Sequence, residues 1–496
     1  MATTTTASRT PRLRLWPGTF GPLCRWLFLA RLPATLPDAE VTPAFLGIED
    51  FQEQEARPRS KQLLATSRLA SPSDLGAFPA QAITCRHANS NGACNRCETP
   101  LNPCCMDTIE LFAGGGGLAL GLHQAGFDPV VVVERDKDSC QTLAENWHRA
   151  MGRNLHLFNE DVRHVQFQEW QDRVELVSGG PPCQPFSIGG KHKGCRDERD
   201  MFPYAVQVVR TVRPKAFIFE NVRGLLRKSF AKYFGYVLLQ LQYPELVSHG
   251  GESWTEHLAR LEGHHTAGVE FGLRYRVVFQ KVSAADFGVP QHRERVVIVG
   301  FRWDIHEPWS FPQSTHSGDA LNAAKWVNGT YWDEHQIPRA QRPPTPPGMH
   351  NRLERIATLP FSARWRTVRD ALAGLPNPQS PEAARIPNHR FQPGARRYPG
   401  HTGSILDVPA KTLKAGDHGV PGGENMLAHA NGSVRYFTVR ESARLQTFPD
   451  WYHFPNSWTE SMRQIGNAVP VTLARVIGTS VVNTLQKHNR SRNCNQ

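Results

Sequence analysis

The chain has 496 residues and carries 57 lysines and arginines against 45 aspartates and glutamates, a formal net charge of +12. This length exceeds what one ordinary hydrophobic core organises, so the sequence predicts more than one structural unit. It contains no run of about 18 uninterrupted apolar residues, which predicts that no helix crosses a membrane. The basic surplus favours a polyanionic partner such as nucleic acid, although a solvated basic surface would give the same charge.

Residues 1–105 differ in composition from the rest of the chain and show no sustained helical or strand periodicity. The first 37 residues contain five arginines and no acidic residue. A transit peptide has this composition, but the amphipathic repeat of one is missing. Because Met106 directly precedes a strong strand pattern, we expect residues 1–105 to be an N-terminal extension that is disordered or dispensable.

Six of the ten cysteines lie in this extension. Cys85, Cys94, Cys97 and Cys104 could supply ligands to a zinc ion. The extension has a single Cys-x-x-Cys pair with irregular spacings around it, which is a poor match to a structural zinc site. We therefore expect unpaired thiols there and no metal site.

From Asp107 onward, short apolar runs alternate with helical patterns. This alternation predicts an α/β fold with a Rossmann-like, doubly wound sheet. The predicted strands are Thr108–Phe112, Val130–Val133, Val174–Val177, Ala216–Phe219, Tyr275–Lys281 and Arg295–Gly300. The predicted helices are Leu118–Ala125, Ser139–His148 and Met201–Val212.

The remaining chain divides into three parts. Residues 301–435 are rich in proline and tryptophan and have few periodic elements. This composition predicts a smaller, irregular domain beside a catalytic and cofactor-binding domain at residues 106–300. Residues 436–486 regain helical periodicity and are expected to return to the catalytic domain, while residues 487–496 are expected to form a frayed polar tail.

A glycine-rich turn, Glu110–Gly117, follows the first predicted strand. Glycines let the backbone turn tightly and approach a ligand at a helix N-terminus. Glu134 lies 20 residues beyond Gly114, where a carboxylate can bind ribose hydroxyls, and Asp161 could accept from an adenine amino group. Because the spacing is not Gly-x-Gly-x-x-Gly, the pattern favours an adenosine-bearing cofactor other than NAD. A tight turn with two solvated acids would leave the same pattern.

Cys183 lies in the sequence Gly-Gly-Pro-Pro-Cys-Gln-Pro-Phe-Ser, just beyond the end of a predicted strand. Ligands bind at this edge of an open α/β sheet. A loop framed by glycine and proline is a poor place to pack an inert thiol, so Cys183 is predicted to be a nucleophile. Glu220 ends the next predicted strand and is expected to share the cleft of Cys183.

The segment Gln291–Arg295, with sequence Gln-His-Arg-Glu-Arg, precedes the last predicted strand. Arg293 and Arg295 alternate along it, which places both on one face, although a surface charge pair would alternate in the same way. The start of this strand reaches the edge that holds Cys183 only if the strand runs antiparallel to its neighbours. The sheet is therefore predicted to be mixed.

Together these segments resemble the DNA (cytosine-5)-methyltransferase family, of the bacterial restriction–modification type. They occur in the family's order and are jointly specific. The matching stretches are Asp107–Gly126, Val132–Asp136, Gly179–Lys193, Glu220–Gly224, Gln291–Arg295, Arg440–Asp450 and Gln464–Leu473.

The resemblance implies S-adenosylmethionine as the methyl donor. It assigns Cys183 as the nucleophile, Glu220 as the contact to cytosine N3, and Arg293 and Arg295 as supporting arginines. Arg135 departs from the aromatic residue that often follows the ribose-binding glutamate in the family. The residues implied to bind the cofactor are Phe112, Gly114, Gly116, Leu118, Glu134, Asp161, Pro182, Asn467 and Val469.

The partner that the resemblance implies is double-stranded DNA, with the target base flipped out of the stack. Residues 301–435 occupy the place of the family's target-recognition domain, and Ser187–Arg199 the place of a mobile loop that closes over DNA. The candidate DNA-binding residues are Ser187, Lys191, Lys193, Arg196, Lys411 and Lys414.

We expect methyl transfer to C5 of a cytosine in a specific DNA sequence, by a monomer in the bacterial cytoplasm that associates with the nucleoid by binding DNA. Methylation would protect host DNA, with a cognate restriction endonuclease as a functional and not a physical partner. Two alternatives stay open: an RNA cytosine-5 methyltransferase and a catalytically silent DNA-binding relative. The long basic variable region argues against the first, and the intact Cys183, Glu220 and Arg295 argue against the second.

Overall fold

The computed structural model describes residues 106–151, 154–182, 200–268, 272–357, 362–415 and 423–494. The predicted extension and its candidate zinc ligands lie outside the described residues. So do Cys183 and four of the candidate DNA-binding residues: Ser187, Lys191, Lys193 and Arg196.

Strands and helices alternate from Met106 onward, as the sequence predicts. The strands are β1 (Met106–Leu111), β2 (Phe127–Glu134), β3 (Leu157–Asn159), β4 (Leu176–Gly179), β5 (Ala216–Val222), β6 (Tyr275–Ser283), β7 (Glu294–Arg302), β8 (His316–Ser317), β9 (Ala363–Arg364), β10 (Met426–Ala428) and β11 (Val434–Tyr436). The helices are α1 (Gly117–Ala125), α2 (Lys137–Met151), α3 (Phe202–Val212), α4 (Ala231–Gln242), α5 (Trp254–Ala267), α6 (Gly318–Asn322), α7 (Thr330–Glu334), α8 (His350–Ala357), α9 (Val368–Leu372), α10 (Val439–Leu445), α11 (Trp458–Asn467) and α12 (Val471–Cys494).

A seven-stranded sheet with the order β3-β2-β1-β4-β5-β7-β6 organises the catalytic part of the chain. Strands β1 to β5 pair in parallel, whereas β7 is antiparallel to β5 and β6 is antiparallel to β7. The predicted α/β fold and the predicted mixed sheet are both confirmed. In the register of β5 and β7, Arg295 pairs with Val222. The antiparallel direction of β7 therefore brings Arg295 to the end of β5.

The sheet is covered by helices on both faces, which explains why its strands are nearly continuous apolar runs. On one face, Ile109 and Phe219 pack in a cluster with residues of α3, α4 and α5. On the other face, Ile218 packs in a cluster with residues of α1 and α12. Helices α1 and α12 approach closely because Gly121 has no side chain; a Cβ there would lie 2.4 Å from the Cβ of Ala474.

The C-terminal segment departs from its prediction in two ways. Helix α12 continues to Cys494, so the frayed tail predicted from residue 487 is wrong; buried His488 packs within it. The stretch Trp458–Arg492 also has the length and hydropathy of a membrane span. However, 67% of its most apolar window is buried inside the protein, as in the core helix of a globular fold.

The region predicted as the irregular domain contains short elements, β8 to β11 and α6 to α9. Its own apolar cluster is small and comprises Leu321, Ala324, Tyr331 and Trp332. The chain leaves the sheet later than predicted, since β7 continues to Arg302 and the following residues, among them Ile305, pack against the sheet cluster.

Candidate active site

A cavity of about 570 Å³ opens where the parallel strands β1, β2, β4 and β5 end. The fold brings to its wall segments that are far apart in sequence, because neighbouring parallel strands end at the same edge. Eight of the nine predicted cofactor residues line it: Phe112, Gly114, Leu118, Glu134, Asp161, Pro182, Asn467 and Val469. Glu220 lines the same cavity.

The glycine turn after β1 is bound to the end of β2 through Glu134. The backbone N–H of Gly114 donates to Glu134 Oε2 at 2.7 Å, and the N–H of Asp136 donates to Glu134 Oε1 at 2.8 Å. Gly114 has a φ of +53°, a left-handed conformation that glycine adopts without strain. Each carboxylate oxygen keeps a lone pair after these bonds, so Glu134 can still accept from two hydroxyls of a ligand.

Gly116, the ninth predicted cofactor residue, lies behind the cavity wall. It precedes α1 with a φ of +80°, and a Cβ there would lie 2.5 Å from Tyr452 Oη and 2.7 Å from Leu143 Cδ2. Tyr452 uses this space to donate to the carbonyl of Gly115 at 2.9 Å. Gly116 therefore shapes the turn and does not line the cavity.

Asp161 follows β3 and is held by two arginines. Its Oδ1 accepts from the backbone N–H of Arg163 at 3.1 Å and from Arg163 Nε at 2.9 Å, and its Oδ2 accepts from Arg163 Nη2 at 2.8 Å. Arg135 Nη1 makes a longer contact of 3.5 Å with Oδ2. The hydrogen bonds from Arg163 lower the pKa of Asp161 to about 2, so the carboxyl is ionised at neutral pH.

Glu220 and Arg295 form a nearly buried ion pair on neighbouring strands. Glu220 Oε1 lies 2.6 Å from Arg295 Nε, and each side chain is 11% exposed. Gly180 lies beside the pair, where a Cβ would be in ordinary van der Waals contact with Glu220 Oε2 at 3.4 Å. The predicted partners of the flipped base are thus adjacent, although Glu220 lies within β5 and not beyond its end.

The chain on either side of residues 183–199 is fixed to the sheet edge. Asn221 Nδ2 donates to the carbonyl of Pro181 at 3.0 Å, and the N–H of Met201 donates to the carbonyl of Pro182 at 3.2 Å. Sequence reasoning missed Asn221, although it follows Glu220 directly. The residues that precede Cys183 are therefore held beside Glu220.

Arg293 does not line the cavity, contrary to a direct role beside the base. Its side chain is fully buried and donates to the carbonyls of Leu413 at 3.0 Å and Gly466 at 2.7 Å. Burial lowers its pKa from the ordinary arginine range. Arg293 therefore connects the start of β7 to Leu413 and to α11, and it supports the site without contacting the cavity.

Glu110 is a wall residue that sequence reasoning left without a role. It is fully buried at the end of β1, and its Oε1 accepts from the N–H of Ala119 in the first turn of α1 at 2.9 Å. Burial raises the pKa of Glu110 to about 8. The sequence feature that could have pointed to Glu110 is its position at the start of the glycine-rich turn.

The two described lysines among the candidate DNA-binding residues lie beside residues 416–422. Lys414 is 55% exposed and pairs with Glu424 at 2.8 Å, and Lys411 Nζ donates to Thr402 Oγ1 at 2.6 Å. The amide of Asn425 bonds both the N–H and the carbonyl of Lys414. These bonds fix the base of the segment that begins after Ala415.

Carboxylate oxygens of Asp136, Asp138 and Glu460 lie within 4.8 Å of one another at the cavity rim. Arg463 Nη2 pairs with Asp136 at 2.8 Å and with Glu460 at 2.5 Å, and Asn456 donates to Asp138. The acids are therefore already compensated by cationic and amide groups.

The strand order, the antiparallel β7, the glycine turn and the acids after β2 and β3 define a Rossmann-like methyltransferase fold. The chain belongs to the C-5 cytosine-specific DNA methylase family, whose family model matches residues 106–243 and 269–483. It is therefore an enzyme that transfers a methyl group to cytosine in DNA.

Curated relatives agree with this assignment. The chain is 30% identical over 383 residues to the type II methyltransferase M.PspPI of Psychrobacter, covering 76% of this chain and 79% of the relative. It is 31% identical over 383 residues to M.AplI of Arthrospira platensis, covering 76% and 86%. It is 30% identical over 385 residues to M.NgoMIV of Neisseria gonorrhoeae, covering 77% and 99%.

Proposed function

We propose that the chain transfers a methyl group from S-adenosylmethionine to C5 of a cytosine within a specific double-stranded DNA sequence, with Cys183 as the nucleophile. The observation that carries the proposal is the shared cavity. Glu134 and Asp161, which suit an adenosine, line the same 570 Å³ space as Glu220, whose partner is Arg295.

The residues of the cavity fit S-adenosylmethionine, which when bound would supply an electrophilic sulfonium methyl group. Glu134 retains lone pairs for the ribose hydroxyls, and ionised Asp161 is an acceptor for the adenine amino group. Asn467 and Val469 would close the site from the distal part of the chain.

The roles of the protein groups follow from the chemistry of cytosine, whose C5 is a poor nucleophile. The Cys183 thiolate forms a C–S bond at C6, which makes C5 enamine-like and able to take the methyl group. Glu220 at N3 and Arg295 at O2 stabilise the charge that develops on the ring. Transfer of the C5 proton to a base such as water then re-forms the C5–C6 double bond, and the C–S bond breaks to return the Cys183 thiolate.

The DNA side of the proposal rests on composition and family membership. We assign residues 106–300 and 436–486 to the catalytic domain, and residues 301–435 to target recognition. Ser187, Lys191, Lys193, Arg196, Lys411 and Lys414 would contact the phosphates, which bind lysine and arginine independently of sequence. A monomer in the bacterial cytoplasm that protects host DNA against a cognate restriction endonuclease is consistent with the type II relatives.

Bisulfite sequencing of host DNA after expression of the full chain tests the proposal. We expect one short sequence motif to carry protected cytosines throughout the genome, and the Cys183→Ala chain, expressed to the same level, to leave the motif unprotected. Unmodified DNA from cells that contain the folded wild-type protein would overturn the proposal, as would equal protection by the variant.

A further inference from the structure

Two arginines flank Asp161 on the cavity wall, and they are held very differently. Arg163 forms a two-point fork on the carboxylate, and its guanidinium lies over the Tyr204 ring, 5.9 Å from the ring centroid. Arg135 reaches the same carboxylate only through a 3.5 Å contact, and its side chain is 77% exposed. Arg163 is therefore a fixed partner of Asp161, whereas Arg135 is loosely attached.

The hydrogen bonds of Asp161 leave one acceptor position unused. An ionised carboxylate has about four lone-pair positions, two on each oxygen. Oδ1 accepts two hydrogen bonds from Arg163, one from the backbone and one from Nε. Oδ2 accepts one short bond from Arg163 Nη2 and the long contact from Arg135. The position that an incoming donor can take is thus on Oδ2, where it competes only with Arg135.

We propose that Arg163 is a positioning residue for cofactor specificity: it orients Asp161 so that Oδ2 accepts from the 6-amino group of the adenine, while Arg135 releases Oδ2 and stacks on the purine face. This inference rests on the proposed use of S-adenosylmethionine. Arginine is suited to the second role because its planar guanidinium stacks on aromatic rings, and Arg135 lies on the cavity wall with an exposed side chain.

The arrangement predicts which purines the cavity accepts. The pKa of Asp161 is about 2, so its carboxylate only accepts hydrogen bonds near neutral pH. A 6-amino purine donates to it, whereas a 6-oxo purine presents a carbonyl oxygen that repels it. A site built to bond an N–H group rejects an analogue without that group strongly, because the acceptor is left unpaired.

Calorimetric binding of two nucleosides to the full chain tests this inference. The probes are S-adenosylhomocysteine and S-inosylhomocysteine, which differ at the 6-position of the purine. We expect wild type to prefer the adenosyl compound by at least about 100-fold. Arg163→Met should lower this preference at least about 10-fold, because an unoriented Asp161 discriminates less. Arg163→Lys, which keeps one charged donor, should recover part of it.

Arg260 offers a matched control far from the cavity. It forms the same two-point fork on Glu252, with Nε and Nη2 bonds of 3.0 and 2.9 Å, and its side chain is 31% exposed. Arg260→Met removes an equivalent ion pair and should leave the preference unchanged. Arg135→Met should weaken binding of S-inosylhomocysteine by about 3- to 10-fold, since stacking on the purine is lost and no 6-amino group competes for Asp161 in this probe.

The outcomes separate this inference from the function on which it rests. Failure of wild type to bind S-adenosylhomocysteine would overturn the proposed cofactor. Equal affinity of wild type for both nucleosides would overturn the proposed recognition of the 6-amino group but not the proposed cofactor. A wild-type preference that survives in Arg163→Met would overturn the role of Arg163, and unweakened binding of S-inosylhomocysteine by Arg135→Met would overturn the role of Arg135.

Discussion

The edge of the central sheet and the proposed recognition region, residues 301–435, are stabilised in different ways. At the sheet edge, functional residues lie at the ends of strands that are buried between two helical layers. The hydrogen bonds between the strands therefore fix the backbone position of each functional residue. In the proposed recognition region the apolar cluster is small, and the region also contains partly buried ion pairs. Arg364 pairs with Asp370 at 2.8 Å, and Arg369 pairs with Asp407 at 2.6 Å.

The two regions are expected to tolerate different substitutions. A buried ion pair contributes little net stability when intact but costs much when one partner is removed, because the other charge stays buried. Asp370 illustrates this, since Arg364 and the N–H of Thr367 both bond its carboxylate. We therefore expect substitutions at the sheet edge to change chemistry, and substitutions in the recognition network to change stability.

The largest effect is expected for Cys183→Ala. Without the thiolate no C–S bond forms at C6, so methylation should fall to the assay background. The contacts proposed for Glu134 and Asp161 do not use the thiol, so affinity for S-adenosylhomocysteine should stay within about 2-fold of wild type. Radiolabelled methyl transfer and calorimetry measure the two quantities; measurable turnover in the variant would contradict the assigned nucleophile.

Glu220→Gln comes next. The amide still fits beside Arg295 but cannot give a proton or a charged hydrogen bond to cytosine N3, so kcat should fall about 10²- to 10⁴-fold. Affinity for S-adenosylhomocysteine serves as the control for folding and should be unchanged. A kcat of Glu220→Gln equal to that of wild type would mean that another group contacts cytosine N3.

Asp370→Asn tests the other side of the comparison. Arg364 pairs with Glu334, which is exposed, and with Asp370, which is buried. The change removes the buried charge of the two, and we expect the free energy of unfolding in urea to fall by about 3 kcal/mol. Asp333→Asn is the matched control, because Asp333 also pairs with an arginine but is 66% exposed, and its loss should be below about 1 kcal/mol. Equal losses of unfolding free energy in Asp370→Asn and Asp333→Asn would contradict the larger effect expected for the buried carboxylate.

The smallest effect is expected from Glu110, as a pH dependence. Its pKa is about 8 in the fold against 4.5 unfolded, so above pH 4.5 folding requires uptake of a proton. The contribution therefore favours the fold at low pH and is lost as the pH rises towards 8. Between pH 5 and pH 7, cofactor-free wild type should lose about 2–3 kcal/mol more unfolding free energy than Glu110→Gln. Parallel stability profiles for the two proteins would contradict this.

Much of the sheet could be predicted from the sequence because its signals are local. Apolar runs bounded by glycine and acids locate β1, β2 and β5 within a few residues, and parallel strands that end at one edge imply that Gly114, Glu134 and Glu220 meet. The antiparallel direction of β7 could be predicted from the same geometry, because Arg295 reaches that edge only if β7 runs antiparallel to its neighbours. Family membership then accounts for the activity.

Other features depend on contacts that no local pattern reveals. Arg293 and Arg295 are both arginines and lie two positions apart. Arg293 nevertheless donates to buried carbonyls, whereas Arg295 pairs with Glu220. Helix α12 continues past a polar segment because His488 is buried against the fold.

Fold class, family and nine residues of the cavity wall could be read from the sequence, because periodicity and motif spacing are properties of neighbouring residues. The packed structure was needed to show that Gly116 supports the turn, that Glu110 is buried, and that Arg163 donates to Asp161. Each of these depends on how much solvent and which partners remain after distant segments pack, and burial and pairing together set the charge that a group carries.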